Sequence, residues 1–105
     1  MMISRRTDPH VEVDVSGVFG KGRRIGRDKK YAMVSEDTTV GDVKTQVLMQ
    51  LHFPAPELFC IRSGKEELAD SAKVSELDPK KLRSLNLYCK DVEAFHRVLR
   101  ERGLL

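Results

Sequence analysis

Residues 10–16, HVEVDVS, alternate apolar and polar, with Val11, Val13 and Val15 on one side. A period of two predicts a half-buried strand. Val18 and Phe19 extend it or cap the core. GKGRRIGRD is glycine-rich and charged and predicts a long hairpin loop. KKYAMVSE is the return strand, in one of two registers: Ala32 and Val34 face the core, or Tyr31 and Met33 do. The period then changes. Val40, Val43, Val47 and Leu51 recur at spacings of three and four, which places one apolar stripe along a helix over 39–52. Thr39 is the expected N-cap, because its hydroxyl can accept from an orphan N–H of the first turn. Asp42, three residues on, reaches back as a short capping box. Pro54 cannot continue the helix and biases Phe53 away from helical angles, so Phe53 plugs the bottom of the core.

Leu58 to Arg62 is the third strand and Ser63-Gly64 a turn. Lys65 to Leu77 is short strand and loop, anchored by Leu68 and Val74. Leu85-Asn86-Leu87-Tyr88-Cys89 alternates and is the last strand, with Leu85 and Leu87 inward. The tail DVEAFHRVLRERGLL carries Val92, Phe95 and Leu99 at helical spacing and Gly103 as C-cap, which predicts a short amphipathic helix over 91–105. Residues 1–9 hold Arg5, Arg6 and Pro9 but no periodic apolar pattern and are expected to be disordered. The order ββαββ makes residues 10–90 one α+β domain: a mixed sheet of four to five strands crossed by one helix.

Composition narrows the classes. Apolar content of 40% and charged content of 33% suit a water-soluble globular domain. With no tryptophan, the core has to come mainly from Val, Leu and Ile. No run of about 18 apolar residues exists to span a bilayer. The opening residues hold no secretory signal, and two cysteines without one point to a reducing compartment, cytoplasmic or nuclear.

The net charge of +3 is mild but unevenly spread. Lys21, Arg23, Arg24, Arg27, Lys29 and Lys30 face a single Asp28 within ten residues. Such a run is ordinarily a solvated loop. As a site it favours acidic protein surfaces or anionic lipid. Nucleic acid is not expected, since base-stacking aromatics are missing.

Enzyme chemistry finds no foothold. His10, His52 and His96 fall in separate elements, and no Ser-His-Asp or Cys-His order can be argued from spacing. There is no Cys-x-x-Cys and no His-x-x-x-His, so no metal is expected. GVFGKGRR is not a phosphate loop, because neither Ser nor Thr follows the Gly-Lys pair and no helix opens there. The expectation is a non-enzymatic, monomeric interaction module without cofactor.

The segment Thr39 to Lys65, TVGDVKTQVLMQLHFPAPELFCIRSGK, resembles ubiquitin over its length without a gap. Both show a Thr cap, Val-Lys in the first helical turns, a Pro after the helix, an apolar strand and a Gly-Lys turn. With one inserted residue the resemblance continues through LADSAKVSELDPKKLRSLNLYCK. It implies a ubiquitin-like β-grasp fold and a partner-binding patch on the sheet face opposite the helix. Carried over, the central isoleucine of that patch falls on Ile61, the last-strand valine on Tyr88, the neighbouring histidine on Asn86 and an edge arginine on Phe59. Phe59 and Ile61 face outward if Leu58 and Cys60 point in, and Arg62, Lys65 and Lys90 rim the patch. In the register so implied, Cys60 and Cys89 both face the core as inert thiols. Lys65 and Lys81 match two chain-linkage lysines. The C-terminal Arg102-Gly103-Leu104-Leu105 departs from a conjugatable Gly-Gly tail, which implies a built-in domain rather than a modifier. The tail helix either leaves the patch free or folds back over it.

A looser resemblance links the chain to the Ras-associating and Ras-binding domains, which share the fold and present basic residues on the second strand. Arg27, Lys29 and Lys30 occupy that place, with Lys21, Arg23 and Arg24 before them. That resemblance implies a small GTPase or an anionic membrane as the alternative partner.

Overall fold

A computed structural model describes residues 9–18 and 29–104. Most of the expected disordered N-terminus and the basic stretch up to Asp28 lie outside the described residues. The chain folds as a small α+β unit. Strands β1 (His10–Asp14), β2 (Lys29–Met33), β3 (Phe59–Ser63), β4 (Glu66–Glu67) and β5 (Leu85–Cys89) form one mixed sheet in the order β2-β1-β5-β3-β4. Helix α1 (Val40–Leu51) connects β2 to β3, the short α2 (Pro79–Leu82) precedes β5, and α3 (Val92–Glu101) follows it.

Cross-strand pairing decides which residues are inside. Val11 lies opposite Ala32, and both are buried. This resolves the second-strand register in favour of Ala32, because directly opposed residues share a face. Tyr31 and Met33, one step away, are 46% and 51% exposed. β5 lies parallel to β1, with Asp14 opposite Asn86, and antiparallel to β3. Val18, beyond β1, is buried, and its carbonyl accepts from Cys89 N at 2.8 Å.

α1 begins where the sequence predicts. Thr39 Oγ1 accepts from Asp42 N at 3.1 Å, and Asp42 Oδ2 accepts from Thr39 N at 3.0 Å, completing the capping box. Val40 N and Gly41 N donate to the carbonyls of Ala72 and Asp70. A Cβ on Gly41 would stand 3.2 Å from Asp70 O, so glycine permits that approach. Val40, Val43, Val47 and Leu48 are buried, and Leu51 and Phe53 pack against the core. The helix ends with His52 at φ 60° and a bond from Phe53 N to Leu48 O, ahead of Pro54.

Lys44 is the unexpected member of the buried face. Its Nζ donates to Phe59 O at 3.2 Å and to Asp70 Oδ2 at 2.8 Å. It thus satisfies a carbonyl of β3 and meets an opposite charge, as a buried ammonium requires.

The tail helix is also part of this core. Phe95 is buried, with ring centroids 5.2 Å from Phe53 and 5.1 Å from Phe59. Val92 and Leu99 flank it. Leu104 N donates to Leu99 O and Gly103, at φ 73°, to Arg100 O, a glycine-terminated helix end. Among the described residues, no helix is long and apolar enough to cross a membrane.

Candidate interaction surface

The register assigns the outer face, the one away from α1. Cys60 lies opposite Tyr88, and Arg62 opposite Asn86. On the other side of the sheet His10 lies opposite Met33, Glu12 opposite Tyr31, and Asp14 opposite Lys29. These ten residues alternate with the core residues and share the outer face.

Two expected members are not there. Phe59 and Ile61 are 0% and 1% exposed and belong to the core. They lie opposite Cys89 and Leu87, which face inward. The expected orientation of this strand was therefore reversed. The cause lies just upstream. The link from helix to strand contains left-handed His52 and Ala55, then a 3-10 turn at Pro56–Leu58. Strand phase cannot be carried through such a link by gapless matching, and a one-residue slip turns every side chain to the other face. Arg62 consequently stands where an apolar patch centre was expected. The cysteines are corrected too: Cys89 faces the core and Cys60 the outer side, so they do not share a face. Both are free and buried, and burial pushes both thiols up from 9.0.

Arg62 and Tyr88 form the centre of the face. The guanidinium sits 4.3 Å from the Tyr88 ring centroid, cation–π geometry. Arg62 Nη2 also donates to Lys65 O at 3.2 Å, which fixes the side chain over the ring. Asn86 Nδ2 reaches Ser84 O at 3.3 Å and Gly64 O at 3.4 Å. Gly64, at φ 61°, makes the turn that brings Lys65 beside Arg62. Lys65 and Lys90 are exposed at the rim. Lys81 donates to Glu66 at 3.1 Å.

Tyr31 and Met33 supply the apolar side of the face. His10 meets Tyr31 edge-on, with centroids 5.5 Å apart. Between the two halves runs a groove of about 650 Å³, lined by His10, Glu12, Asp14, Lys29, Arg83 and Asn86 among others. It opens where β1 extends beyond the start of β5. A second, more apolar hollow of about 740 Å³ adjoins it, lined by Val34, Val74, Leu77 and Leu82 among others.

The basic stretch is only partly placed. Lys21, Arg23, Arg24 and Arg27 lie outside the described residues. Lys29 is exposed and 3.5 Å from Glu12, an ion pair of small energetic weight. Lys30 lies opposite Val13 and is half-buried, so alternation sends the two lysines to opposite faces.

Sequence reasoning left the facing of Tyr31 and Met33 open and placed Arg62 at the rim rather than the centre. Once the register is settled, the same alternation finds them. Among the described residues, no group of three or more His, Cys, Asp or Glu side chains is placed to hold a metal ion. Comparison with known proteins adds no further assignment: no protein-family model matches the chain, and no curated protein matches it.

Proposed function

We propose that the chain is a ubiquitin-like β-grasp domain that acts as a non-enzymatic protein-interaction module. Its partner sits on the outer sheet face around Tyr31, Met33, Arg62 and Tyr88. Support for the fold comes from strand order β2-β1-β5-β3-β4, with the first and last strands parallel at the centre and a capped helix between the second and third.

One observation carries the binding reading. The outer face presents Tyr, Met and Arg side chains, while α3 directs Phe95 into the core. Aromatic residues, methionine and arginine are enriched at the centres of interfaces. A small number of such anchors supplies most of the binding energy, and truncating one costs about 2 kcal/mol or more at a hot spot. The groove beside His10 and Asn86 gives the face a concave part for a partner side chain.

The test compares a pull-down by the wild type with one by an Arg62→Ala/Tyr88→Ala variant and one by Tyr31→Ala. Specific partners should be lost by the double variant and weakened at least about tenfold by the single one. Undiminished capture by both variants, with the fold intact by circular dichroism, moves the site elsewhere. The alternative, a small GTPase or an anionic membrane held by Lys21 to Lys30, draws less support from β2. Lys29 and Lys30 lie on opposite faces of the strand, so they do not form one basic surface. Binding through that stretch would weaken steeply with salt.

A further inference from the structure

β2 is an edge strand, and edge strands expose backbone groups that pair with other chains unless something blocks them. Val34 N donates to Pro9 O, which sets the phase of the β1–β2 ladder. In that phase the N–H and C=O groups of residues 31 and 33 point away from β1. Two glutamines of α1 occupy three of these four groups. Gln46 Oε1 accepts from Met33 N at 2.9 Å, and Gln46 Nε2 donates to Met33 O at 2.8 Å. Gln50 Nε2 donates to Tyr31 O at 2.8 Å. The spacings match: residues i and i+4 of a helix rise by about 6 Å, and residues i and i+2 of a strand by about 6–7 Å. The Gln46 carboxamide satisfies both backbone groups of Met33 as a neighbouring strand would.

The edge so covered is otherwise attractive to a second strand. Tyr31 and Met33 are the exposed side chains beside it. An antiparallel two-fold pairing through Tyr31 would bring Lys29 of one copy opposite Met33 of another. Residues 29, 31 and 33 carry the outward backbone groups, so in that register each of them meets an outward-facing residue of the other copy. We infer that Gln46 and Gln50 act as a guard on a self-complementary edge, keeping β2 from pairing with β2 of a second copy of this chain.

The experiment measures mass in solution by light scattering, over rising concentration, for three proteins. The wild type should remain at 11.9 kDa. Gln46→Ala/Gln50→Ala should double in mass. The same variant with Met33→Pro should return to the monomer, since proline removes the outward donor at an edge position it can occupy. Single Gln46→Ala replaces the double variant if that one does not fold. A folded glutamine variant that stays monomeric overturns the inference. So does a dimer that survives Met33→Pro, because it must use another surface. Independently, amide exchange at Met33 should quicken at least about tenfold in Gln46→Ala under monomeric conditions. A wild-type Met33 amide exchanging as fast as a free peptide overturns the guard without any variant.

Discussion

Along β3 and β5 the sheet shows two different surfaces at alternate residues. Phe59, Ile61, Leu85, Leu87 and Cys89 are buried against the helices. One residue along, Arg62, Asn86 and Tyr88 are half-buried, with Arg62 over the Tyr88 ring and the Asn86 amide on Gly64 O. The inner face consists of side chains whose removal leaves a hole. The outer one, buried Cys60 apart, consists of side chains whose removal leaves water. Substitutions one position apart should therefore fail in different assays, stability for the first and partner binding for the second.

The most severe test is Phe59→Ala. Phe59 stacks on Phe53 at 5.8 Å and meets Phe95 edge-on, so its loss should cost about 3–5 kcal/mol in urea unfolding. A loss below about 1 kcal/mol would mean this side chain is not in the core. Lys44→Met comes next. It keeps the stem but leaves Phe59 O without its donor, and an unsatisfied buried acceptor costs about 1–3 kcal/mol. Calorimetry on this variant separates a structural lysine from a surface one. Arg62→Ala should change stability by less than about 1 kcal/mol, the range of exposed cation–π pairs. If Arg62→Ala unfolds the protein as readily as Phe59→Ala, the distinction between the faces collapses.

The thiols give the smallest and most specific effect. Desolvation is the main cause of the upward shift of both Cys60 and Cys89. Burial strips the thiolate of hydrating water, so the folded state holds the proton more tightly than the unfolded one. Stability from this source is present below the ordinary thiol value of 9.0 and is lost as pH rises through it towards the raised folded values. Unfolding midpoints should fall above that pH in the wild type and fall less in Cys60→Ser/Cys89→Ser. Of the two, Cys60 should react first with a thiol reagent, because Cys89 belongs to the core cluster and Cys60 does not.

Much of the inner face was legible because its signals are local. The Thr39–Asp42 box, the valine stripe, the alternation of Leu85 to Cys89 and the Phe95 helix ending at Gly103 each depend on residues within a few positions. The outer face was less legible, for two physical reasons. Leu58-Phe59-Cys60-Ile61 is apolar throughout, so nothing in it distinguishes even from odd positions. Tyr31-Ala32-Met33-Val34 has the same defect, and only pairing with Val11 decides it. Lys44, Gln46 and Gln50 lie on the borders of the helical stripe, where the strand each one meets is set by tertiary packing.

The central pairing of β1 with β5 has a consequence for how the chain comes into being. A strand made early waits for one made late, and the cluster around Phe59 is complete only when Phe95 has followed. During synthesis the β1–β2 hairpin and α1 emerge with their valines uncovered, and a two-stranded hairpin is marginal in water. Closing distant pairs is the slow step in folds of high contact order. The full core is therefore expected only once Phe95 is free to pack. Until then the chain is most exposed to aggregation and most dependent on chaperones.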